Sequence, residues 1–307
     1  YFLSCPAYNT IRNIREGRCV HFTKMNGAGN DFILLDAIAE PFDEAAAPAL
    51  ARALCDRRRS IGADGLMLVT RAEGDADYRM RFYNSDGSLG EMCGNGARCI
   101  CRYGFEHGYA GSVQRVETTA GLVTGWHIAD DQYRIRLNTP AALELQKPLD
   151  VDGRTYRCSY VELGDPGIPH LAVQTPDLAG QDEAALRQLG RKLRYHPALP
   201  KGANVNFYEL TGPDTVLEKT YERGVEDFTL ACGTGTGAVV TVLTLLGKVS
   251  GRNVRVRMDG GELAVDAEAH DGRIENLYLT GPAALVCAGE ILDKTILDLI
   301  KKQEEKA

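Results

Sequence analysis

Two cysteines stand in matching surroundings 139 residues apart. Cys93 opens Cys93-Gly94-Asn95-Gly96, and Cys232 opens Cys232-Gly233-Thr234-Gly235. Each precedes a Gly-x-Gly turn at a predicted helix start. Unpaired N–H groups and partial positive charge at a helix start favour thiolate over thiol, so each cysteine is expected to ionise below the reference value of about 8.5. The same N–H groups can hold a carboxylate. If the two settings face one another, two sulfurs and two anion sites converge on one cleft, which suits a small amino acid whose Cα lies between the thiols. One sulfur takes a proton from one face while the other returns a proton to the opposite face, and inversion at carbon follows. A lone Cys-Gly more often packs as a small apolar residue at a tight turn. Here it is the repetition at matched positions that favours chemistry.

Further landmarks recur in the same order. Leu137-Asn138-Thr139-Pro140-Ala141-Ala142-Leu143 returns as Leu279-Thr280-Gly281-Pro282-Ala283-Ala284-Leu285, Ala120-Gly121 as Gly260-Gly261, and Gly62-Ala63-Asp64 as Gly202-Ala203-Asn204. Gly29 falls opposite Gly167. Five landmarks at offsets of 138 to 142 residues imply an internal duplication. Short β-like runs bounded by Gly, Asp, Asn or Pro are predicted at Phe32–Leu35, Leu66–Val69, Tyr78–Tyr83, Tyr133–Leu137, Leu171–Gln174, Val254–Met258 and Leu277–Thr280. Helices are predicted over Glu44–Arg58, Asn95–Glu106, Glu183–Leu193 and Thr234–Leu246, the last so apolar that it must be buried on all sides. The expected fold is therefore α/β (α+β), with two pseudo-symmetric lobes that each wrap a mostly antiparallel sheet around a central helix. The expected division is an N-terminal arm at 1–20, a first lobe at 21–145, a second at 146–286, and a tail at 287–307 that returns to the first lobe.

Composition narrows the function classes. At 307 residues, 44% hydrophobic and 25% charged, the chain suits two ordinary globular units, and no run reaches the ~18 apolar residues of a membrane span. A net charge of −7, with no basic run longer than Arg57-Arg58-Arg59, offers no footprint for a nucleic acid. Nine scattered cysteines suit a reducing compartment, and Tyr1-Phe2-Leu3 is too short for a signal-peptide core, so the cytoplasm is expected. Gly27-Ala28-Gly29 has Phe32 where a dinucleotide fingerprint needs its third glycine. Cys93, Cys99 and Cys101 have a spacing that fits no usual zinc site, and Cys99 and Cys101 point to different helix faces. Neither metal nor cofactor is expected.

At family level the motifs are long and ordered. Lys24-Met25-Asn26-Gly27-Ala28-Gly29-Asn30-Asp31-Phe32, Asn84-Ser85-Asp86-Gly87-Ser88 with Cys93-Gly94-Asn95-Gly96-Ala97-Arg98-Cys99, Tyr221-Glu222-Arg223-Gly224 and Ala231-Cys232-Gly233-Thr234-Gly235 strongly resemble diaminopimelate epimerases, from about Phe22 to Glu290. The resemblance implies a pyridoxal-independent epimerase that interconverts LL- and meso-diaminopimelate for lysine and peptidoglycan synthesis, as a homodimer without cofactor. It assigns Cys93 and Cys232 as the acid/base pair, and His170 and Glu222 as polar groups supporting the thiols. Substrate contacts carry over to Asn30, Asn84, Gly94, Asn95, Asn204, Glu222, Arg223, Gly233 and Thr234. Asparagine amides can donate to carboxylates and accept from ammonium groups, and Arg223 can clamp a carboxylate bidentately.

Three positions depart from that pattern. Gly65 stands where many members have Gln, Ile168 where many have Asn, and Phe228 where an acidic residue is expected. The first two remove polar contacts, and Phe228 is expected to bring an aromatic face near the pocket. A racemase of another amino acid on the same fold, an isomerase of the phenazine-biosynthesis type, and a non-enzymatic thiol sensor are the rival readings. The paired cysteines argue against the second, and the Asn, Glu and Arg motifs around them against the third.

Overall fold

The computed structural model describes residues 20–90 and 94–304. Apart from Val20, the expected N-terminal arm lies outside the described residues. The first half runs β1 (Val20–Gly27), β2 (Asn30–Asp36), α1 (Ala47–Leu54), β3 (Gly65–Thr70), β4 (Tyr78–Asn84), α2 (Gly94–Glu106), β5 (Val113–Thr118), β6 (Gly121–Ala129), β7 (Gln132–Leu137) and β8 (Pro140–Val151). The second runs β9 (Arg154–Leu163), β10 (Ile168–Gln174), α3 (Glu183–Arg194), β11 (Asn204–Gly212), β12 (Thr215–Glu222), β13 (Asp227–Thr229), α4 (Gly233–Leu245), β14 (Val254–Met258), β15 (Gly261–His270), β16 (Arg273–Pro282) and β17 (Ala284–Ile291), before α5 (Lys294–Glu304).

The halves repeat one pairing scheme. Parallel β2·β3 and antiparallel β3·β4 correspond to β10·β11 and β11·β12. Parallel β4·β5 corresponds to β12·β14, and the β5·β6·β7 meander to β14·β15·β16. Three antiparallel seams join the halves: β7 with β16, β8 with β9, and β17 with β1. All described strands thereby belong to one continuous hydrogen-bonded sheet.

Strand periodicity explains how that sheet covers both faces. In β2 and β3 the alternating set Ile33, Leu35, Leu66 and Leu68 packs with Leu50 and Leu54 of α1, while Phe32, Leu34, Met67 and Val69 join the core around α2. In the second half Leu171, Val173, Val205 and Phe207 pack with Leu186 and Leu193 of α3. The core around α2 and α4 is shared between the halves. Helix α4 matches the apolar reading, with Val239, Val240, Val242 and Leu243 at 1% exposure or less. Each such burial contributes roughly 1.5–3 kcal/mol, which outweighs the modest helix propensity of a valine-rich run. The expected Glu44–Arg58 helix is shorter: a 3₁₀ turn at Glu44–Ala46 leads into α1, which stops at Leu54. Beyond it the Asp56 carboxylate accepts from the N–H groups of Arg58 and Arg59, a local turn that competes with helix continuation.

The two buried helices start against each other. A Cβ built on Gly94 would lie 3.7 Å from the Gly233 Cα, and one built on Gly233 would lie 3.6 Å from the Gly94 Cα. The surroundings differ, because the Gly233 Cβ would meet Leu279 Cδ2 at 2.8 Å whereas the Gly94 Cβ would meet it at an ordinary 3.5 Å. Gly233→Ala is therefore expected to lower stability by roughly 1–3 kcal/mol through overpacking, and Gly94→Ala by clearly less. Urea unfolding of both variants checks the ranking, and equal midpoints would contradict it.

Candidate active site

A cavity of about 620 Å³ opens where α2 and α4 begin. The first half contributes Asn30 at the start of β2, Asn84 at the end of β4, and Gly94 and Asn95 of α2. The second contributes Glu222 at the end of β12, Arg223 directly after it, and Cys232, Gly233 and Thr234 at the start of α4. The structure thus brings nine of the sequence-derived candidates to one cavity. Asn204 and His170 are buried and are not among its lining residues. Cys93 lies outside the described residues, directly before Gly94.

Cys232 is the N-cap of α4, and its carbonyl accepts the first helical bond from Thr236 N at 2.9 Å. Its sulfur lies 3.7 Å from Thr234 Oγ1. The expectation of a readily ionised thiol is corrected here. Burial raises the Cys232 thiol well above its ordinary value, and the charge of Glu222 adds to this, against the opposing Gly235 N–H and Thr234 hydroxyl. Desolvation at a residue that is only 8% exposed outweighs the favourable helix end. Cys232 is held as a thiol at neutral pH. Glu222 is also pushed up, first by burial, with the charge of Asp64 across the cavity adding to it and the nearby Thr229 hydroxyl opposing.

The asparagines are held by different means in the two halves. Asn95 Nδ2 donates to Asn30 Oδ1 at 2.5 Å, and Asn95 Oδ1 accepts from Nη2 of the fully buried Arg98 at 3.0 Å. Asn30 Nδ2 donates to Asp64 at 3.1 Å. Asp64 is tied to Arg57 at 2.7 Å, and Arg57 grips Asp31 through both terminal nitrogens at 2.6 and 3.0 Å. Lys24 also pairs with Asp31, at 2.8 Å. Burial alone would raise the Asp31 carboxyl, but Arg57 and Lys24 hold it at about 2. In the second half Asn204 Oδ1 accepts from Arg223 N at 2.8 Å, and its amide donates to Pro169 O at 3.3 Å. Asn204 therefore fixes the backbone that presents Arg223.

His170 is wholly buried on β10. Asn206 Nδ2 donates to its Nδ1 at 3.3 Å, which leaves the ring proton on Nε2, an atom with no hydrogen-bond partner among the described residues. Burial pushes its pKa down to about 3, the Arg223 charge pushes the same way, and the bond from Asn206 opposes. The ring is neutral at physiological pH.

Sequence reasoning missed the aromatic wall of the cavity. Phe82 and Phe32 both line it, edge to face with centroids 5.9 Å apart. A Cβ on Gly65 or on Gly90 would come within 2.3 Å of the Phe82 ring, so two glycine backbones sandwich that ring. The signal was present as Gly65 and Gly90 flanking a strand that carries Phe82, but nothing in the spacing shows that all three meet. Phe228 does not line the cavity. It packs edge to face on Tyr221 and Phe207 beneath Arg187, on the α3 side of the sheet. Residues two apart on a strand share a face, and Phe228 sits opposite Tyr221, whose ring is directed into that cluster. Ile168 lines a separate small cavity beside Thr234.

The diaminopimelate epimerase profile matches this sequence twice, over residues 22–142 and 164–286. The chain belongs to the diaminopimelate epimerase family. The two matches cover one structural half each, as a duplication requires. A diaminopimelate epimerase from Archaeoglobus fulgidus is 39% identical over 282 residues, covering 88% of this chain and 95% of its own. Among solved structures, a probable proline racemase from Agrobacterium radiobacter K84 superposes with a TM-score of 0.66 at 19% identity, covering 91% of this chain and 95% of that one. A phenazine biosynthesis protein of the PhzF family from Bacillus anthracis does so with a TM-score of 0.67 at 14% identity, covering 90% and 100%. At those identities the likeness is one of fold.

One consequence concerns His170. In spectra of protein carrying ¹³C-labelled histidine, with Glu and Asn variants unnecessary, the resonance lost in His170→Gln is expected to stay in its neutral position from roughly pH 8 down to 5. Its folded pKa lies below the unfolded value, so the folded ring binds fewer protons, and stability tied to it is lost as pH falls from 6.5 towards 3. A midpoint near 6.5 in the folded protein would refute the buried, neutral assignment.

Proposed function

We propose that the protein epimerises diaminopimelate between its LL and meso forms by cofactor-independent two-base chemistry, in the supply of lysine and peptidoglycan precursors. The observation that carries this reading is the meeting of two helix N-termini at Gly94 and Gly233, each directly preceded in sequence by a cysteine, at a cavity lined with amides, a carboxyl and a guanidinium. N–H groups at two helix starts favour a substrate carboxylate. Asn30, Asn84 and Arg223 supply further partners for charged ends, and Glu222 an acceptor for an ammonium group.

In the cycle, one sulfur takes the Cα proton, breaking C–H and forming S–H. The other thiol gives its proton to the opposite face, breaking S–H and forming the new C–H with inverted configuration. The number of protons on the pair is unchanged. Cys232, held as a thiol by burial and by Glu222, enters as the acid, which leaves Cys93 as the base. The aromatic wall of Phe82 and Phe32 favours a second reading, a racemase whose substrate has one polar end and a different side chain.

Cα-deuterium uptake without added cofactor separates the two. LL-diaminopimelate is expected to exchange at least about tenfold faster than lysine, glutamate or histidine, or ~1.4 kcal/mol in transition-state binding. A smaller preference defeats the specific assignment, and exchange of another amino acid would then support the racemase. Cys93→Ser and Cys232→Ser are each expected to lose on the order of 10²–10⁴ in rate, since an alcohol is a poor acid and base near neutral pH. Full activity in one of these variants would defeat the two-base mechanism.

A further inference from the structure

Behind Cys232 lies a buried polar chain that the chemistry above does not use. Glu218 on β12 has no exposed surface, pairs with no cation among the described residues, and lies between Thr220 and Thr236, which are 2% and 0% exposed. Thr236 Oγ1 is 2.9 Å from Glu218 Oε2 and 3.0 Å from the Cys232 carbonyl. Thr220 Oγ1 is 3.4 Å from Glu218 Oε1 and 3.0 Å from Asn206 Oδ1. Asn206 in turn donates to His170. A continuous buried path therefore runs from the turn that carries Cys232 to the neutral histidine.

Counting donors decides the protonation state that fits this path. Thr236 Oγ1 also lies 3.4 Å from the weak acceptor Met258 Sδ; in each of the four threonine contacts with oxygen the partner atom can only accept if Glu218 is ionised, and two hydroxyls carry two protons between them. Two contacts would then be left without a hydrogen, and because the Cys232 carbonyl already accepts from Thr236 N, the cost falls on Asn206 Oδ1 or on the carboxylate itself, one of which loses a donor in a region closed to water. A proton on Glu218 Oε2 resolves three of the four. Glu218 donates to Thr236, Thr236 donates to the Cys232 carbonyl, and Thr220 donates to Asn206.

We propose that Glu218 is a positioning residue acting in its protonated form: it frees the Thr236 hydroxyl to hold the Cys232 carbonyl and so fixes the turn bearing the thiol, and on losing its proton it becomes a charge that opposes the Cys232 thiolate. The inference deepens the reading in which Cys232 exchanges a proton with substrate. Burial raises the carboxyl to about 8, with the two threonine hydroxyls opposing. Around it stand Cys232 at the start of α4, Glu222 on β12, His170 on β10 and Tyr208 opposite Glu218 on β11, whereas Arg255 and Arg257 of β14, which pairs with β12, lie on the exposed face of their strand. Of these, Glu222 and Glu218 both push the thiol up, and His170 is neutral.

The test is the pH dependence of Cys232 alkylation by iodoacetamide, resolved by peptide mass spectrometry. It reads the thiol whatever the substrate, so failure of the diaminopimelate assignment leaves it interpretable. Glu218→Gln keeps a donor towards Thr236 and removes the charge. Its Cys232 is expected to reach half-maximal alkylation about half a pH unit or more below wild type, or roughly threefold faster at a fixed alkaline pH. Glu218→Leu is expected to share that shift but, lacking the donor, to show faster amide exchange at Gly235 and Thr236. A Glu218→Gln profile that superposes on wild type overturns the proposal. If the variants do not fold, carboxyl resonances of wild-type protein carrying ¹³C-labelled glutamate decide: one is expected to titrate near pH 8 and to move in Thr236→Val, and titration of every glutamate below roughly pH 6 overturns it.

Discussion

The contact between Gly94 and Gly233 is the constraint on which the site depends. Two helix N-termini, each carrying roughly half a positive charge, repel unless something electron-rich lies between them. Here their backbones come together because neither first residue has a side chain and because the seam of β7 with β16 locks the two halves side by side. The result is a cavity onto which two helix N-termini already point before any ligand arrives. Amide oxygens and the sulfur at the α4 N-cap lie around it, and a carboxylate is the ligand class that relieves the repulsion best.

Burial and helix polarity compete at the same sulfur. A helix terminus stabilises an anion by about 0.3–1 kcal/mol, up to ~2 in favourable partly buried geometry, whereas full desolvation can move a group by 3–5 pKa units. Burial wins at Cys232, and the nearby Glu222 reinforces it. On the proposed two-base reading, a thiol that holds its proton until substrate is present suits the acid.

The walls are built differently in the two halves. Around Asn30 the charges are paired, Asp31 with Lys24 and Arg57, and Asp64 with Arg57, so that the amide is held by an ion-paired carboxylate. Behind Cys232 the buried groups are uncharged and linked only by hydrogen bonds. Phe82, wedged between Gly65 and Gly90, adds an apolar surface to the first wall. Where the sequence lacks a polar side chain at position 65, the space is taken by a ring from the neighbouring strand.

Much of this was legible in the linear sequence because it depends on local chemistry and on repetition. The duplication, the two buried helices, their Gly-x-Gly starts and the apolar strands follow from spacing and periodicity, which short-range sterics and solvent exclusion enforce wherever they occur. The convergence of Asn30, Asn84, Asn95, Glu222 and Arg223 was legible through motifs. Three features were not. The acidity of Cys232 depends on how completely water is excluded by residues far along the chain. Phe228 faces away from the cavity because strand register with Tyr221 sets its side. Glu218 is not among the sequence-derived candidates, and only the fold shows that β12 is paired on both sides and that the side chain is enclosed beside Thr236 of α4. Residue type and spacing determined which chemistry was available. Only tertiary packing decided which groups keep their protons, because desolvation depends on everything that surrounds an atom and on nothing that is local to it.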